Sequence, residues 1–227
     1  MNKFQSFKAK LGIKLNVFLE NWYWAKRYRK ELTNNDFSII CNTCIGGTIY
    51  HLLGMKFLSP TIDLYIEPSK FVKFCNDLDR YLSLDLLDIS TPKFNYPVGC
   101  LGDVEIYFMH YKSFDAAKQK WYSRLKRINT NNLFVMMTDR ITVISDNPKR
   151  CEDSIIYDFD RLAFKNKVCF TSKVFDEYKS AYYMAEYSEN GVVGIITEYS
   201  GHIGKRSFSN SKFDFIKFIN NGNYWNS

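Results

Sequence analysis

Asn42-Thr43-Cys44-Ile45-Gly46-Gly47 places a thiol between a β-prone run, Asp36-Phe37-Ser38-Ile39-Ile40-Cys41, and a stretch that reads as a helix. The first amides of a helix have no internal partner and carry the positive end of its dipole, so they lower the pKa of a cysteine and can also hold an oxyanion. The chemistry this points to is nucleophilic: an anionic Cys44 attacks a carbonyl while amides near Ile45 to Gly47 hold the developing charge. The competing reading of any unpaired cysteine is a small buried hydrophobe. Cys41-x-x-Cys44 also matches a redox or half-zinc spacing. No second Cys-x-x-Cys or histidine pair completes a zinc site, however, and Cys41 falls in the strand rather than at the helix start, from which a redox pair attacks.

In open α/β sheets, ligands bind at the carboxyl ends of the strands. His110 closes the run Val104–Met109, Glu67 follows Thr61–Ile66, and Thr138-Asp139-Arg140 follow Asn132–Met137. If these strands run parallel, Cys44, His110 and Asp139 share one rim as nucleophile, general base and orienting group for acyl transfer. Asn42, Thr43, Gly46, Gly47 and Arg140 on that rim are candidate substrate contacts, although polar strand ends are also common without function. His51 is a rival base, but seven residues of helix from Cys44 amount to about 10 Å of rise. In the helix after His110, Ser113 suits the cap, and Phe114, Ala117, Trp121, Leu125 and Ile128 mark a buried side. Lys120, Arg124 and Arg127 form a separate stripe, which reads either as a solvated face or as a phosphate clamp. Neither glycine-rich phosphate-loop motif is present. Asp77-x-Asp79 and Asp158-x-Asp160 match the spaced acids that hold a metal in many sugar-nucleotide transferases, but the first lies inside a predicted helix and the second follows no clear strand.

The elements that position these residues alternate. Strand 36–41, helix 44–54, strand 61–66, helix 68–82, strand 104–109, helix 114–128, strand 132–137 and strand 167–171 are followed by a hairpin over 181–199 and a closing helix from Phe213 to Asn220. This predicts an α/β fold, a three-layer, mostly parallel or mixed sheet flanked by helices. Before it, Phe4, Phe7, Leu11, Leu15, Phe18 and Trp22 recur at three- and four-residue steps along a helix of about 2–32. The chain thus divides into a basic amphipathic N-terminal helix, 1–35, and an α/β domain, 36–227. Most of the +7 net charge lies in residues 1–31, so the body is nearly neutral and nucleic acid is not an expected partner. The helix can pack on the body or lie in a membrane interface, with its aromatic face in lipid and its lysines near acidic headgroups. The six cysteines are scattered and lysines break the N-terminal apolar stretch, so a reduced, cytoplasmic setting is expected, peripheral at the inner face of the membrane if the helix binds lipid. No metal or bound cofactor is expected.

Taken in order, Asn42-Thr43-Cys44-Ile45-Gly46-Gly47 with Ile49-Tyr50-His51, Ser59-Pro60-Thr61-Ile62, Pro97-Val98-Gly99, His110-Tyr111, Lys120-Trp121 with Arg124, Arg127, Ile128 and Asn129, Met137-Thr138-Asp139-Arg140, and Lys165-Asn166-Lys167-Val168 resemble the bacterial domain-of-unknown-function family 1919. Members are often labelled exopolysaccharide or capsular polysaccharide biosynthesis proteins. The resemblance runs from about Asp36 to Asn220 and adds Asn129 to the candidate substrate contacts. Its Asn-x-Cys turn is similar, by analogy, to the Gly-Asn-Cys-Gln turn of certain capsule acetyltransferases. It implies a surface-polysaccharide enzyme that transfers an acyl (acetyl) group to a sugar or lipid-linked saccharide, with acyl-CoA as a candidate donor substrate. Two alternatives stay open: glycosyl or phosphoryl transfer in the same pathway, and a non-catalytic membrane-surface adaptor.

Overall fold

Ile39, Cys41, Phe134, Met136, Val168 and Phe170 belong to one hydrophobic core, whereas Ile40, Val135, Met137 and Cys169 belong to another. Successive side chains of a strand point to opposite faces, so this split marks a sheet buried on both sides, as parallel sheets are. The computed structural model describes residues 12–142, 147–189, 191–194, 208 and 211–226. Helix α1 spans 12–31, with a π-helical turn at Glu20–Trp24 before its last segment, Ala25–Glu31. Strand β1 (Ser38–Cys41) leads into α2 (Ile45–Leu52), then α3 (Pro68–Asn76) and α4 (Leu78–Ser83). A meander of β2 (Leu87–Asp88), β3 (Val98–Leu101) and β4 (Val104–Tyr107) precedes α5 (Phe114–Leu125). Next come β5 (Leu133–Thr138), the ribbon β6 (Arg140–Ile141) with β7 (Lys149–Arg150), and α6 (Asp153–Asp160). Strands β8 (Asn166–Thr171) and β9 (Ala181–Tyr183), the ribbon β10 (Ser188–Glu189) with β11 (Val192–Val193), and α7 (Phe215–Asn221) complete the chain.

The central sheet has the order β1-β5-β8-β9 and every pair in it is parallel. Side chains of α2, α7 and the end of α1, among them Ile49, Ile219 and Leu32, cover one face. Those of α3, α4, α5, α6 and the meander, such as Phe71, Tyr81, Trp121 and Phe159, cover the other. The three-layer α/β expectation therefore holds.

Two expected strands differ. Thr61–Ile66 forms a bent segment with one isolated bridge, Tyr65 to Tyr107, because Asp63 adopts φ 61 and the Thr61 hydroxyl takes the Cys41 amide at 3.0 Å. Val104–Met109 is not a parallel strand: Leu101-Gly102-Asp103-Val104 closes a two-residue hairpin, with Gly102 at φ 59, that pairs β4 antiparallel to β3. The predicted helix 68–82 is broken at Asp77, and of the expected hairpin at 181–199, Ser188–Glu189 pairs antiparallel with Val192–Val193 and Ala181–Tyr183 joins the parallel sheet, while residues 195–199 lie outside the described residues. On α1, Phe18 and Trp22 are 58% and 56% exposed, whereas Ala25 is buried; Phe4, Phe7 and Leu11 lie outside the described residues. Among the described residues, no helix is long and apolar enough to cross a membrane.

Candidate functional site

β1 ends in a strap. The Asn42 amide accepts from Thr138 N at 2.9 Å and donates to Thr138 O at 3.3 Å, so it extends the β1–β5 pairing by side chain instead of reaching for a substrate. Cys44 is then the N-cap of α2, with its carbonyl accepting from Thr48 N at 3.0 Å. Gly46 and Gly47 are packing glycines: a Cβ on Gly46 would lie 2.7 Å from Cys41 Sγ, and one on Gly47 would lie 2.9 Å from Asp63 Oδ1. Neither has surface to offer a ligand, and the Gly46 amide is directed at the Cys41 sulfur. Of the first residues of α2, Ile45 is the one that lines a neighbouring cleft.

His110 arrives from the opposite direction. Tyr65 and Tyr107 exchange backbone hydrogen bonds of 2.9 Å each, which carries the end of β4 across the 61–66 segment. His110 Nε2 then lies 3.1 Å from Cys44 Sγ, within hydrogen-bond reach of the thiol. Both residues line a cleft of about 280 Å³, walled by Ile45, Leu64, Tyr65, Met109 and Val193, with Thr138 and Arg140 on its rim. The Thr138 hydroxyl is buried without a hydrogen-bond partner, an orphan donor beside the cleft.

The electrostatics correct the expectation of an anionic sulfur. Burial, reinforced by the nearby Asp63 carboxylate, pushes the Cys44 thiol up to about 12, so it rests protonated. Cys41 is likewise pushed up to about 12 by burial, and its thiol faces Thr43 O at 3.0 Å and Thr61 O at 3.2 Å. Asp63 is the residue that sequence reasoning missed. It bonds Arg124 Nη2 at 3.2 Å, while Arg124 Nη1 donates to Ile62 O at 2.7 Å and to Tyr111 Oη at 2.9 Å. An Asp inside an apparent strand, a position where it is disfavoured but where a left-handed turn tolerates it, was the available signal.

The remaining predicted residues separate. Asp139 does not orient His110: its carboxylate accepts from Ser172 N and Oγ at 2.7 Å each and from Val193 N at 3.4 Å. Burial raises its pKa. Arg140 donates to Val193 O at 2.9 Å and keeps its place at the cleft, as does Thr43. Asn129 lies at the entrance of β1, the opposite end of the sheet from Cys44, where its backbone N donates to Ser38 Oγ at 2.9 Å and its side-chain Nδ2 donates to Asp36 O at 3.2 Å. Arg124 is 6% exposed and committed to its partners, whereas Lys120 and Arg127 are exposed over a second groove that also includes His51. Asp160 is spent on Ser180 N and Oγ at 2.7 Å each, and Asp77 pairs with Arg80 at 3.4 Å.

Comparison with known proteins gives a consistent picture. The family model described as Domain of unknown function (DUF1919) matches residues 16–220. An uncharacterized protein of Haemophilus influenzae is 38% identical over 220 residues, covering 97% of this chain and 99% of that relative. The matched span takes in the Cys44 turn, His110 and every residue around the cleft, and the chain belongs to the DUF1919 family.

Proposed function

We propose that the cleft carries out cysteine-dependent acyl transfer, and the observation that supports this reading is the 3.1 Å contact between Cys44 Sγ and His110 Nε2 at the start of α2. Because the thiol rests protonated, His110 acts as general base: its Nε2 takes the Sγ proton as sulfur bonds to the acyl carbon of a thioester donor. The donor's carbon–sulfur bond breaks and His110 returns the proton to the departing thiolate. In the second half, His110 removes the proton of an acceptor hydroxyl, the new ester bond forms, and Cys44 leaves with the proton. The oxyanion donor in this reading is the backbone amide of Ile45, at the start of α2 beside Cys44. Coenzyme A is the proposed carrier of the acyl group and a sugar hydroxyl the acceptor; surface-polysaccharide assembly as the setting rests on the family resemblance. The test is incubation with acetyl-CoA and polysaccharide precursors, followed by peptide mass spectrometry. Acyl Cys44 in the wild-type chain and loss of transfer in Cys44→Ser are expected; undiminished transfer in Cys44→Ser contradicts the reading.

A second reading concerns location and is supported by α1, where the exposed rings of Phe18 and Trp22 stack at 6.2 Å and Lys26 lies 5.6 Å from the Trp22 ring centre. Exposed aromatics flanked by Lys26, Arg27 and Lys30 suit the interface of an anionic bilayer, which would place the enzyme peripherally on the cytoplasmic face. Sedimentation with anionic liposomes should fall severalfold in Phe18→Ser/Trp22→Ser; equal sedimentation removes this reading.

A further inference from the structure

The groove on the far side of the Asp63–Arg124 pair has an unusual charge balance. It is lined by His51 from the last turn of α2, Lys56 and Phe57 from the following loop, and Lys120, Ser123, Arg124 and Arg127 from α5, and encloses about 350 Å³. Gly54, at φ 57, ends α2 and turns the chain so that Lys56 faces α5. Lys120, Arg124 and Arg127 follow at steps of four and three residues, a spacing that stacks like charges on one helical stripe and destabilises it. Asp63 neutralises Arg124, whose guanidinium carbon also lies 4.7 Å from the centre of the Phe57 ring and so forms a fixed wall. Among the described residues, no carboxylate pairs with Lys56, Lys120 or Arg127, and none lines the groove. Cations from two separate elements therefore converge with their counter-charge missing. A compact dianion supplies that charge and accepts hydrogen bonds from Arg127 and both lysines.

From these observations we propose that the groove formed by His51, Lys56, Lys120, Ser123 and Arg127 binds the phosphate or pyrophosphate group of a substrate whose reactive end enters the Cys44 cleft. Cys44 caps the N-terminus of α2 and His51 lies in its last turn, so the two sites are separated by about 10 Å of helix, with Asp63 and Arg124 between them. This deepens the acyl-transfer reading, because a donor or acceptor held by its phosphate at one end presents its other end to the sulfur. Two sources share this chemistry: a nucleotide-linked donor and a lipid-linked saccharide pyrophosphate.

The experiment is isothermal calorimetry on the full chain at low and moderate salt, with ADP and farnesyl pyrophosphate as probes. Lys120→Ala/Arg127→Ala and, from the other element, Lys56→Ala should each weaken binding tenfold or more and flatten its salt dependence. Lys118→Ala, on the same helix outside the groove, should leave binding unchanged, as should Cys44→Ala, which separates this site from the catalytic reading. Tighter binding of ADP assigns the groove to the donor, and tighter binding of farnesyl pyrophosphate to the acceptor. Failure of both probes to bind the wild-type chain, or an equal loss in Lys118→Ala, overturns the proposal.

Discussion

Replacing Asp63 tests how the site is held together, because one carboxylate neutralises a buried guanidinium, occupies a left-handed turn and raises the Cys44 thiol. A fully buried charge left unpaired costs about 3–5 kcal/mol, and one lost charge-assisted hydrogen bond about 1.5–3. Arg124 keeps Ile62 O, Tyr111 Oη and the Phe57 face after the substitution, and the Asp63 side chain is itself 29% exposed. The lower range therefore applies, about 2 kcal/mol for losing the pair. Alanine at φ 61 adds roughly 1–2 kcal/mol of backbone cost, which asparagine largely avoids. Asp63→Ala should thus destabilise by about 3–4 kcal/mol and Asp63→Asn by about 2. At about 2–4 °C per kcal/mol for a chain of this size, these become melting shifts of roughly 10 °C and 6 °C. Urea unfolding and calorimetry measure both. The same variants should make Cys44 easier to alkylate at fixed pH, since removing a nearby negative charge lowers a thiol pKa and each pKa unit gives tenfold more thiolate. Both variants remaining within about 0.5 kcal/mol of wild type, with unchanged alkylation, would refute the role assigned to this pair.

Asn42→Ala should cost about 2–4 kcal/mol in urea unfolding, because it strands the Thr138 amide and carbonyl in a buried position. For Asp139, burial raises the folded-state pKa above its unfolded value, so its contribution to stability is complete below the unfolded carboxylate range and is lost as pH rises through the raised value. Stability of the wild-type chain relative to Asp139→Asn should therefore rise as pH falls through the raised value toward the unfolded carboxylate range, read from urea midpoints at each pH. Gly46→Val should destabilise by about 1–3 kcal/mol or more through the close approach of Cys41 and Ile62, measured by thermal unfolding.

The parallel sheet was legible because Ile39-Ile40-Cys41, Phe134-Val135-Met136 and Val168-Cys169-Phe170 are apolar on both faces, and only a strand covered on both sides reads that way. The helix start at Ser113 was legible from local capping chemistry, and Ser113 Oγ does accept from Ala116 N at 3.3 Å. What failed was tertiary. The apolar run Val104–Met109 reads alone as one more strand of the alternating series, with His110 at its end, but the turn at Gly102-Asp103 folds it back antiparallel on β3. His110 meets Cys44 through an antiparallel bridge instead, from a different sheet. The third member of the rim was misassigned because Asp139 follows β5 in sequence, yet its carboxylate turns to Ser172 beyond β8. Glycine pairs have two readings in sequence, as amides for an anion or as room for a neighbour. Only the approach of Cys41 and Asp63 shows that Gly46 and Gly47 are the second kind.

The account rests on a neutral thiol that delivers its proton to His110. Its most direct test is the pH profile of iodoacetamide modification at Cys44, resolved from the other five cysteines by peptide mass spectrometry, in the wild-type chain and in His110→Ala. Near neutral pH, the wild-type sulfur should react at least tenfold faster than the variant, whose rate should climb only toward the thiol's own value of about 12. Equal rates and superimposable profiles in the two proteins would show that the imidazole takes no proton from Cys44.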